Sequence, residues 1–430
     1  MKKLVSVLLT MSLLFGLAAC GNSGGSDNSK AKEEGETKKE IEYWVNWTPG
    51  EQSEKDGLEA IEKFEEATGY KVNYSVLTYD MLHDKLLAAA AGGNSPDIAT
   101  GLPEYLGEFY NMGILEDITE DVNTWKEKEK INQAVFDAVS IDGKIYGVPN
   151  SMTVRGYLAH DSVFKAAGVA VPESWDDLLA LEGFKEETGS YPLELTCSGV
   201  RASQDLLIFL AEYDLKICDL QSDGKYKNTW LDNEEELKKA AKVFQFYKDC
   251  IDKGIVDPSS KTWGWEETDS NYANVASASH ISGNWMKEFE NNNPEGMEDV
   301  TINPVPAPAD GHSSTYIEVK PLFIFNSAKN KEGALEFARF LLGDEMQQNA
   351  AESGQTVRND IVVDNKWASD FSPLAENGVV FPSVTLSGVT QAMQDSLAEL
   401  LQNGKTPMEA AEWLSNAINS SLAETGELSE

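Results

Sequence analysis

The residues whose spacing could do chemistry are best taken first, and here the catalytic spacings fail. His83, His160, His280 and His312 stand alone, with no HExxH and no CxxC from which to build a metal site. Gly404-Lys405-Thr406 ends like a phosphate-binding loop, but Glu399 stands where the upstream glycine is required. Gly21-Asn22-Ser23-Gly24-Gly25 matches GxSxG by letters only, with no strand before it to make a nucleophile elbow. Among 72 Asp and Glu some pair always falls near enough for acid–base work, so that count discriminates nothing. No catalytic signature survives, no metal site is expected and no cofactor is expected.

What remains are residues suited to holding a ligand. A flat aromatic ring can cover an apolar ligand face, and carboxylates, amides and hydroxyls can exchange hydrogen bonds with a polar one. Of the ten Trp, Trp175 opens a helix, Trp413 lies on an amphipathic face and Trp44 alternates into a strand, so these three belong in cores. Trp47, Trp263, Trp265 and Trp285 instead sit at loops or element ends among Gly, Thr and Asn, and are candidates for a site. Trp47 falls at the end of the first strand, where open α/β sheets bind ligands. Period two places Ser151, Thr153 and Arg155 on one side of a strand, and Tyr316 with Glu318 on one side of another. Arg155 suits a hydroxyl or a ligand carboxylate, or equally a salt bridge in an acidic protein. Asp97, in Ser95-Pro96-Asp97-Ile98, reads as a structural cap at a strand start.

The elements that must position these residues alternate. Ile41, Tyr43 and Val45 are spaced as a strand. Leu58, Ile61, Phe64 and Ala67 then follow helical spacing from Gly57, closed by Gly69. Lys71–Tyr79 reads as a second strand, Met81–Ala91 as a second helix and Pro96–Gly101 as a short third strand. Such alternation implies βαβ units and a largely parallel sheet, an α/β fold. Ser174 should cap a helix at Trp175, with Asp177 completing a capping box. Tyr191–Thr196 is expected as a strand, Glu234–Ile251 as a long amphipathic helix, and Thr301–Pro308 and Tyr316–Phe325 as further β structure. Lys331–Leu342, Thr390–Leu401 and Thr406–Leu422 should be helices, the last opened by Thr406, Pro407 and Glu409. No repeat of roughly 20–50 residues is visible, which excludes a solenoid or propeller.

The ends and the charge bound the function. The 430 residues carry 35 Lys and Arg, a formal charge of −37, which repels phosphate backbones and anionic headgroups, so no nucleic-acid partner is expected. Lys2 and Lys3 precede a mostly apolar run, Leu4–Leu17, too short for the ~20 apolar residues of a spanning helix. Leu17-Ala18-Ala19-Cys20-Gly21 follows, and the whole resembles a bacterial lipoprotein signal, cleaved before a Cys20 that becomes acylated. Gly21–Glu40 has no apolar residue larger than Ala and should be a flexible tether. The folded part would then work at the outer face of the bacterial cytoplasmic membrane. Cys197, Cys218 and Cys250 form neither a disulfide framework nor a zinc site, and are expected as small buried residues, with a Cys197–Cys218 bridge left open.

Seven segments in order carry a family resemblance: Tyr43–Trp47, Ala60–Val72, Ser95–Ile98, Gly143–Pro149, Val163–Leu179, Ser282–Trp285 and Ser327–Leu341. With them the chain resembles the extracellular solute-binding proteins that include maltose-binding protein. That resemblance implies a two-lobe periplasmic-binding-protein-like fold with a hinge and a ligand cleft between the lobes. It places a signal peptide at 1–19, a lipidated Cys and tether at 20–40, an N-terminal lobe at 41–150 plus about 315–360, and a C-terminal lobe at about 155–312 plus 365–430. Crossings are implied near Asn150–Arg155, near Ser313–Glu318 and after Gly354. Trp285 matches the family's Gly-x-Trp, whose ring stacks on a sugar. Glu104, with its neighbour Tyr105, matches a sugar-binding acid that is Asp in the maltose-binding branch. Thr153, Arg155, Tyr316 and Glu318 then fall on crossing strands. The implied function is a monomeric, lipid-anchored sugar-binding protein that delivers its ligand to the permease subunits of an ABC transporter. Several loop Trp, available for successive rings, favour an oligosaccharide. A polyamine, a peptide or an acidic sugar on the same scaffold, or a secreted carbohydrate-active enzyme, are the alternatives.

Overall fold

The first strand forms where period-two alternation dictates. A computed structural model describes residues 39–47, 50, 52–131 and 133–430. In it β1 (Glu40–Val45) turns Ile41, Tyr43 and Val45 inward and Glu40 and Glu42 outward. Helix α1 (Gln52–Thr68) buries Ala60, Ile61 and Phe64 over it and stops at Gly69, whose φ of +74° suits a residue without a Cβ. The chain returns as β2 (Lys71–Val76), parallel to β1. Helix α2 (Tyr79–Ala91), capped by Thr78, leads to β3 (Ile98–Thr100), also parallel to β1. The short helix α3 (Tyr105–Asn111) follows.

The sheet is then completed by strands that run the other way. β4 (Gly147–His160) is a single 14-residue strand. β5 (Ser279–Gly283) and β6 (Val300–Asn303) lie antiparallel to its second half. β7 (Thr315–Ile324) lies antiparallel to both β4 and β3, and β8 (Gly378–Val379) is parallel to β7. The eight strands form one sheet with the main path β6–β4–β7–β3–β1–β2. The expected largely parallel sheet is therefore corrected: the βαβ units are parallel, but β4 and β7 pass between the two halves of the molecule in opposite directions.

Apolar packing divides along those two strands. Ile41, Phe64, Val148, Leu322 and Phe337 share one core, extended by Leu82, Phe109 and Phe323 beside it. Tyr157, Leu206, Phe244, Tyr316 and Leu414 share another, beside which Val154, Trp367 and Phe371 cluster. β4 thus gives Val148 to one core and Tyr157 to the other, while β7 gives Leu322 and Tyr316. The second core is roofed by helices: α4 (Gly199–Ala211), α5 (Glu234–Asp252), α6 (Trp265–Ala273), then α8 (Leu386–Leu401) and α9 (Pro407–Glu424) near the C-terminus; α7 (Lys331–Leu341) covers the first. The capping boxes read from sequence form at Ser174/Asp177 and Thr406/Glu409, with Pro407 at the first helical position.

Other local expectations met tertiary reality. Trp175 is buried and stacks on Phe246 at 4.3 Å, and Trp44 and Trp413 pack partly buried on cores. Tyr191–Thr196 is not a strand: it makes only isolated parallel bridges at Tyr191 and Glu194. Pro192 has no N–H to donate, and the N–H groups of Leu193 and Glu194 go to different neighbours, Ile255 and Ser279. Asp97 is a structural acceptor, as read: its carboxylate takes the N–H groups of Glu42, Lys329 and Asn330 at 2.9, 2.7 and 2.8 Å. Cys197, Cys218 and Cys250 are buried and free, which closes the question of a Cys197–Cys218 bridge. Among the described residues no helix is long and apolar enough to cross a membrane. The signal segment, Cys20 and the tether up to Lys38 lie outside the described residues.

Candidate functional site

The site grows from the face shared by β4 and β7 where they pass between the cores. Glu318 stands directly opposite Thr153 across the pair, and period two brings Arg155 and Tyr316 to the same face. Arg155, only 2% exposed, donates from Nη1 to Thr153 Oγ1 at 3.1 Å and from Nη2 to Glu318 Oε2 at 3.0 Å. Its Nη2 also meets Gln204 Oε1 at 2.6 Å, from α4. Burial alone would raise the Glu318 carboxyl, but Arg155, Lys320 and Arg201 together hold it below its ordinary value. Arg155 and Glu318 are therefore a buried ion pair.

Trp285 joins this face through a glycine. Gly283 at the end of β5 pairs with Arg155 across the strands, and a Cβ built on Gly283 would meet the Trp285 ring at 1.9 Å. The indole thus lies back against the bare backbone of its own strand, where a side chain at 283 would stand. There the Arg155 guanidinium reaches 4.4 Å from its ring centroid, and Arg201 of α4 reaches 4.5 Å. The indole N–H donates to Asp269 Oδ2 of α6 at 2.8 Å. Asp269 is fully buried and its other oxygen gathers Ser282 Oγ and His280 Nε2 at 2.9 Å each and Arg201 Nη1 at 3.4 Å. Burial would push this carboxyl up, yet Arg201, His280 and Trp285 outweigh it and hold it far below the usual range. Asp269 is the post to which the Trp285 ring is fixed.

The first lobe contributes Glu104, just before α3. Its Oε1 accepts from Gln204 Nε2 at 3.3 Å and from Tyr316 Oη at 3.4 Å, so one carboxyl touches residues of α4 and β7. Burial, then the nearby Glu318 charge, pushes Glu104 up to about 7 against the pull of its own backbone N–H, of Gln204 and of Tyr316. Burial also raises Asp205 to about 6 and Glu194 to about 7. Asp205 is 1% exposed and neither of its oxygens has a partner. Among the described residues no group of His, Cys, Asp and Glu could hold a metal ion.

Six of the residues singled out from sequence therefore converge: Glu104, Thr153, Arg155, Trp285, Tyr316 and Glu318. Tyr105 lies next to them but turns into the first lobe, its ring 4.6 Å from that of His83. Trp47 is placed elsewhere, against Gly57 and the rings of Tyr43 and Tyr74 at 6.0 and 5.8 Å. Trp263 edges a shallow surface hollow with Glu266, Glu267, Ser270 and Asn271, while Trp265 opens α6 and is 48% exposed. Among the described residues no hydrogen bond or ring contact ties either to the Arg155 cluster. Sequence reasoning missed Arg201, Gln204, Asp269 and His280, which look like ordinary positions on helices and a strand. One signal was there to use. The chain has only four Arg, and two of them, Arg155 and Arg201, meet on one indole.

Comparison with known proteins agrees with this architecture. The family model described as bacterial extracellular solute-binding protein matches residues 59–371. The diacetylchitobiose binding protein DasA of Streptomyces coelicolor is 22% identical, over 98% of this chain and 99% of its own. The arabinooligosaccharide-binding protein of Bacillus subtilis is 26% identical, over 80% of this chain and 77% of its own. Among solved structures, the GacH receptor of Streptomyces glaucescens, studied unliganded and with acarbose, superposes with a TM-score of 0.78 at 19% identity, covering 90% of this chain and 98% of that one. The fold is the two-lobe fold of these binding proteins, and the strands β4 and β7 join its lobes. A sheet shared between two cores, a cluster of polar groups and one fixed indole where they meet, and a family match over most of the chain lead to one conclusion: this protein belongs to the bacterial extracellular solute-binding proteins.

Proposed function

We propose that the cleft between the lobes binds a neutral oligosaccharide and that the protein is the monomeric, lipid-anchored binding component of an ABC importer, presenting its ligand to membrane permease subunits. The observation that carries the ligand class is the pairing of the cleft's cations. Arg155 is matched by Glu318 and Arg201 by Asp269, so neither guanidinium is left over for an acidic ligand. The remaining carboxyls nearby, Glu104, Asp205 and Glu194, are pushed toward neutrality by burial, which removes the strong negative field that a polyamine would need. What is left is one aromatic face bordered by carboxyls, an amide and hydroxyls. Hydroxyls of a sugar suit those groups, and its C–H face suits the indole. The relatives named for diacetylchitobiose and arabino-oligosaccharides, and the neighbour studied with acarbose, support this reading. The family match and the relatives named as binding proteins support reading the protein as a carrier.

Thermal-shift screening tests it, because a ligand at ~1,000 times its Kd stabilises the folded state by ~4 kcal/mol. A panel of neutral mono- and oligosaccharides, uronates and polyamines should give its largest shift with a neutral oligosaccharide. Stabilisation by uronates or polyamines alone would overturn the ligand class. Sustained hydrolysis of a bound sugar by the purified protein would overturn the carrier role.

A further inference from the structure

We propose that Glu104 enters the shut cleft as the neutral acid, so that closing the lobes takes up one proton and leaves Oε2 able to donate a hydrogen bond inside the cleft. The inference rests on reading this cleft as the ligand site, and concerns how its closure is controlled. Its basis is a shared amide. Gln204 Nε2 donates both to Glu104 Oε1, at 3.3 Å, and to Glu318 Oε2, at 3.1 Å. Two carboxyls are thus bridged by one NH₂, and only Glu318 has a cation at its side, Arg155. Like charges so held disfavour double ionisation, and the carboxyl without a counter-charge is the one that protonates. Glu104 Oε2 fits that role: it is buried and has no partner, which is costly for a carboxylate oxygen but provides the place for an acid proton.

The burial of Glu104 depends on the lobes being together. Glu104 belongs to the first lobe, and its partner Gln204 rides on α4 of the second. One turn along α3, a Cβ on Gly107 would lie 2.1 Å from the carbonyl oxygen of Val384, so α3 is docked tightly on the second lobe. Asn111 at the end of α3 also donates to Thr385 Oγ1 at 2.9 Å. When the lobes part, Gln204 leaves and water returns to Glu104.

The other charged groups around it do not change in this way. Glu318, Tyr316 and Lys320 come from β7, Arg155 from β4, Arg201 and Asp205 from α4 and Asp269 from α6. Arg155 and Arg201 are committed to Glu318 and Asp269, and Lys320 lies 3.8 Å from Glu318. Asp205 and Glu194 are buried inside the second lobe, and the His83–Glu108 pair, 2.8 Å apart behind Tyr105, is contained in the first. The surroundings of these groups are set within a single lobe.

The direction of the coupling is fixed by the two environments. Glu104 sits at about 7 in the shut cleft against an ordinary 4.5 in water, so protonation favours the shut form. Closure should strengthen about tenfold per pH unit as pH falls from about 7 toward 4.5, and be indifferent to pH above about 7.

Small-angle scattering of the purified, ligand-free chain between pH 5 and pH 8 tests this without any sugar, so a chain that binds no sugar still passes or fails on its own. The wild-type radius of gyration should fall as the pH is lowered, corresponding to about a fortyfold gain in closure between pH 7 and pH 5. Glu104→Gln, which mimics the neutral acid, should show a radius independent of pH. Tyr316→Phe, which removes a donor favouring the carboxylate, should move the midpoint to higher pH. Glu194→Gln should follow the wild type, and melting curves at pH 7 establish that each variant is folded. A flat wild-type profile, or a Glu104→Gln profile that tracks it, overturns the proposal. If Glu104→Gln does not fold, an unshifted midpoint in Tyr316→Phe overturns it instead.

Discussion

Truncating Trp285 to Ala separates a ligand platform from a packing residue, and the structure allows both costs to be worked out. On the binding side, a sugar ring loses its aromatic partner and the burial that goes with it, which should weaken affinity by ~2 kcal/mol, or about 30-fold. On the stability side, two cation–π contacts at ~0.5–1 kcal/mol each disappear. One charge-assisted hydrogen bond to Asp269 goes with them, at ~1.5–3 kcal/mol. These sum to ~2.5–5 kcal/mol; Asp269 keeps Ser282, His280 and Arg201, and the guanidiniums keep their carboxylates, so the net loss should fall at the lower end, near ~2.5–3 kcal/mol. Trp367, 2% exposed inside the apolar cluster that Trp285 only borders, provides the contrast: Trp367→Ala should cost ~3–5 kcal/mol of stability and leave affinity alone. Trp285→Phe keeps a ring but not the N–H, and should retain most of the affinity. Calorimetric titration with the most stabilising neutral oligosaccharide, beside chemical denaturation of each variant, reads both quantities. Wild-type affinity in Trp285→Ala, with a stability loss like that of Trp367→Ala, would show that the indole is packing and that no ligand stacks on it.

Asp97→Ala should destabilise the first lobe by roughly 3–5 kcal/mol, because three backbone N–H groups lose their acceptor together, and chemical denaturation with unchanged ligand affinity would bear that out. Cys20→Ser should release the protein from membranes into the soluble fraction, and a variant that still sediments with membranes would count against lipidation.

How far the sequence speaks depends on the range of the interaction. Strands and helices of the first lobe were legible because Ile41, Tyr43 and Val45, or Ile61 and Phe64, report their own burial by period. Capping at Ser174 and Thr406 was legible because its partners lie three residues away. The site was only half legible. Thr153, Arg155, Tyr316 and Glu318 could be paired by period on their strands, whereas Gln204 and Asp269 reach the cleft through helix packing that leaves no local trace. Trp47 looked like a site residue because it ends a strand, but no local pattern announces that Gly57 leaves a flat place for its ring. Tyr191–Thr196 failed as a strand because its neighbours, Ile255 and Ser279, share its N–H groups between them.

The position of β7 in the sheet has a consequence for biogenesis. β3, made by residue 100, pairs on one side with β1, but its other neighbour is β7, which begins only at Thr315. During synthesis the first lobe must wait for more than two hundred further residues before the second neighbour of β3 exists, and contacts so distant along the chain form late. The emerging N-terminal portion therefore remains unable to lock into its native sheet while the chain is still being made. For a protein of an extracellular family, a leading segment that cannot complete its sheet early suits passage across a membrane before folding.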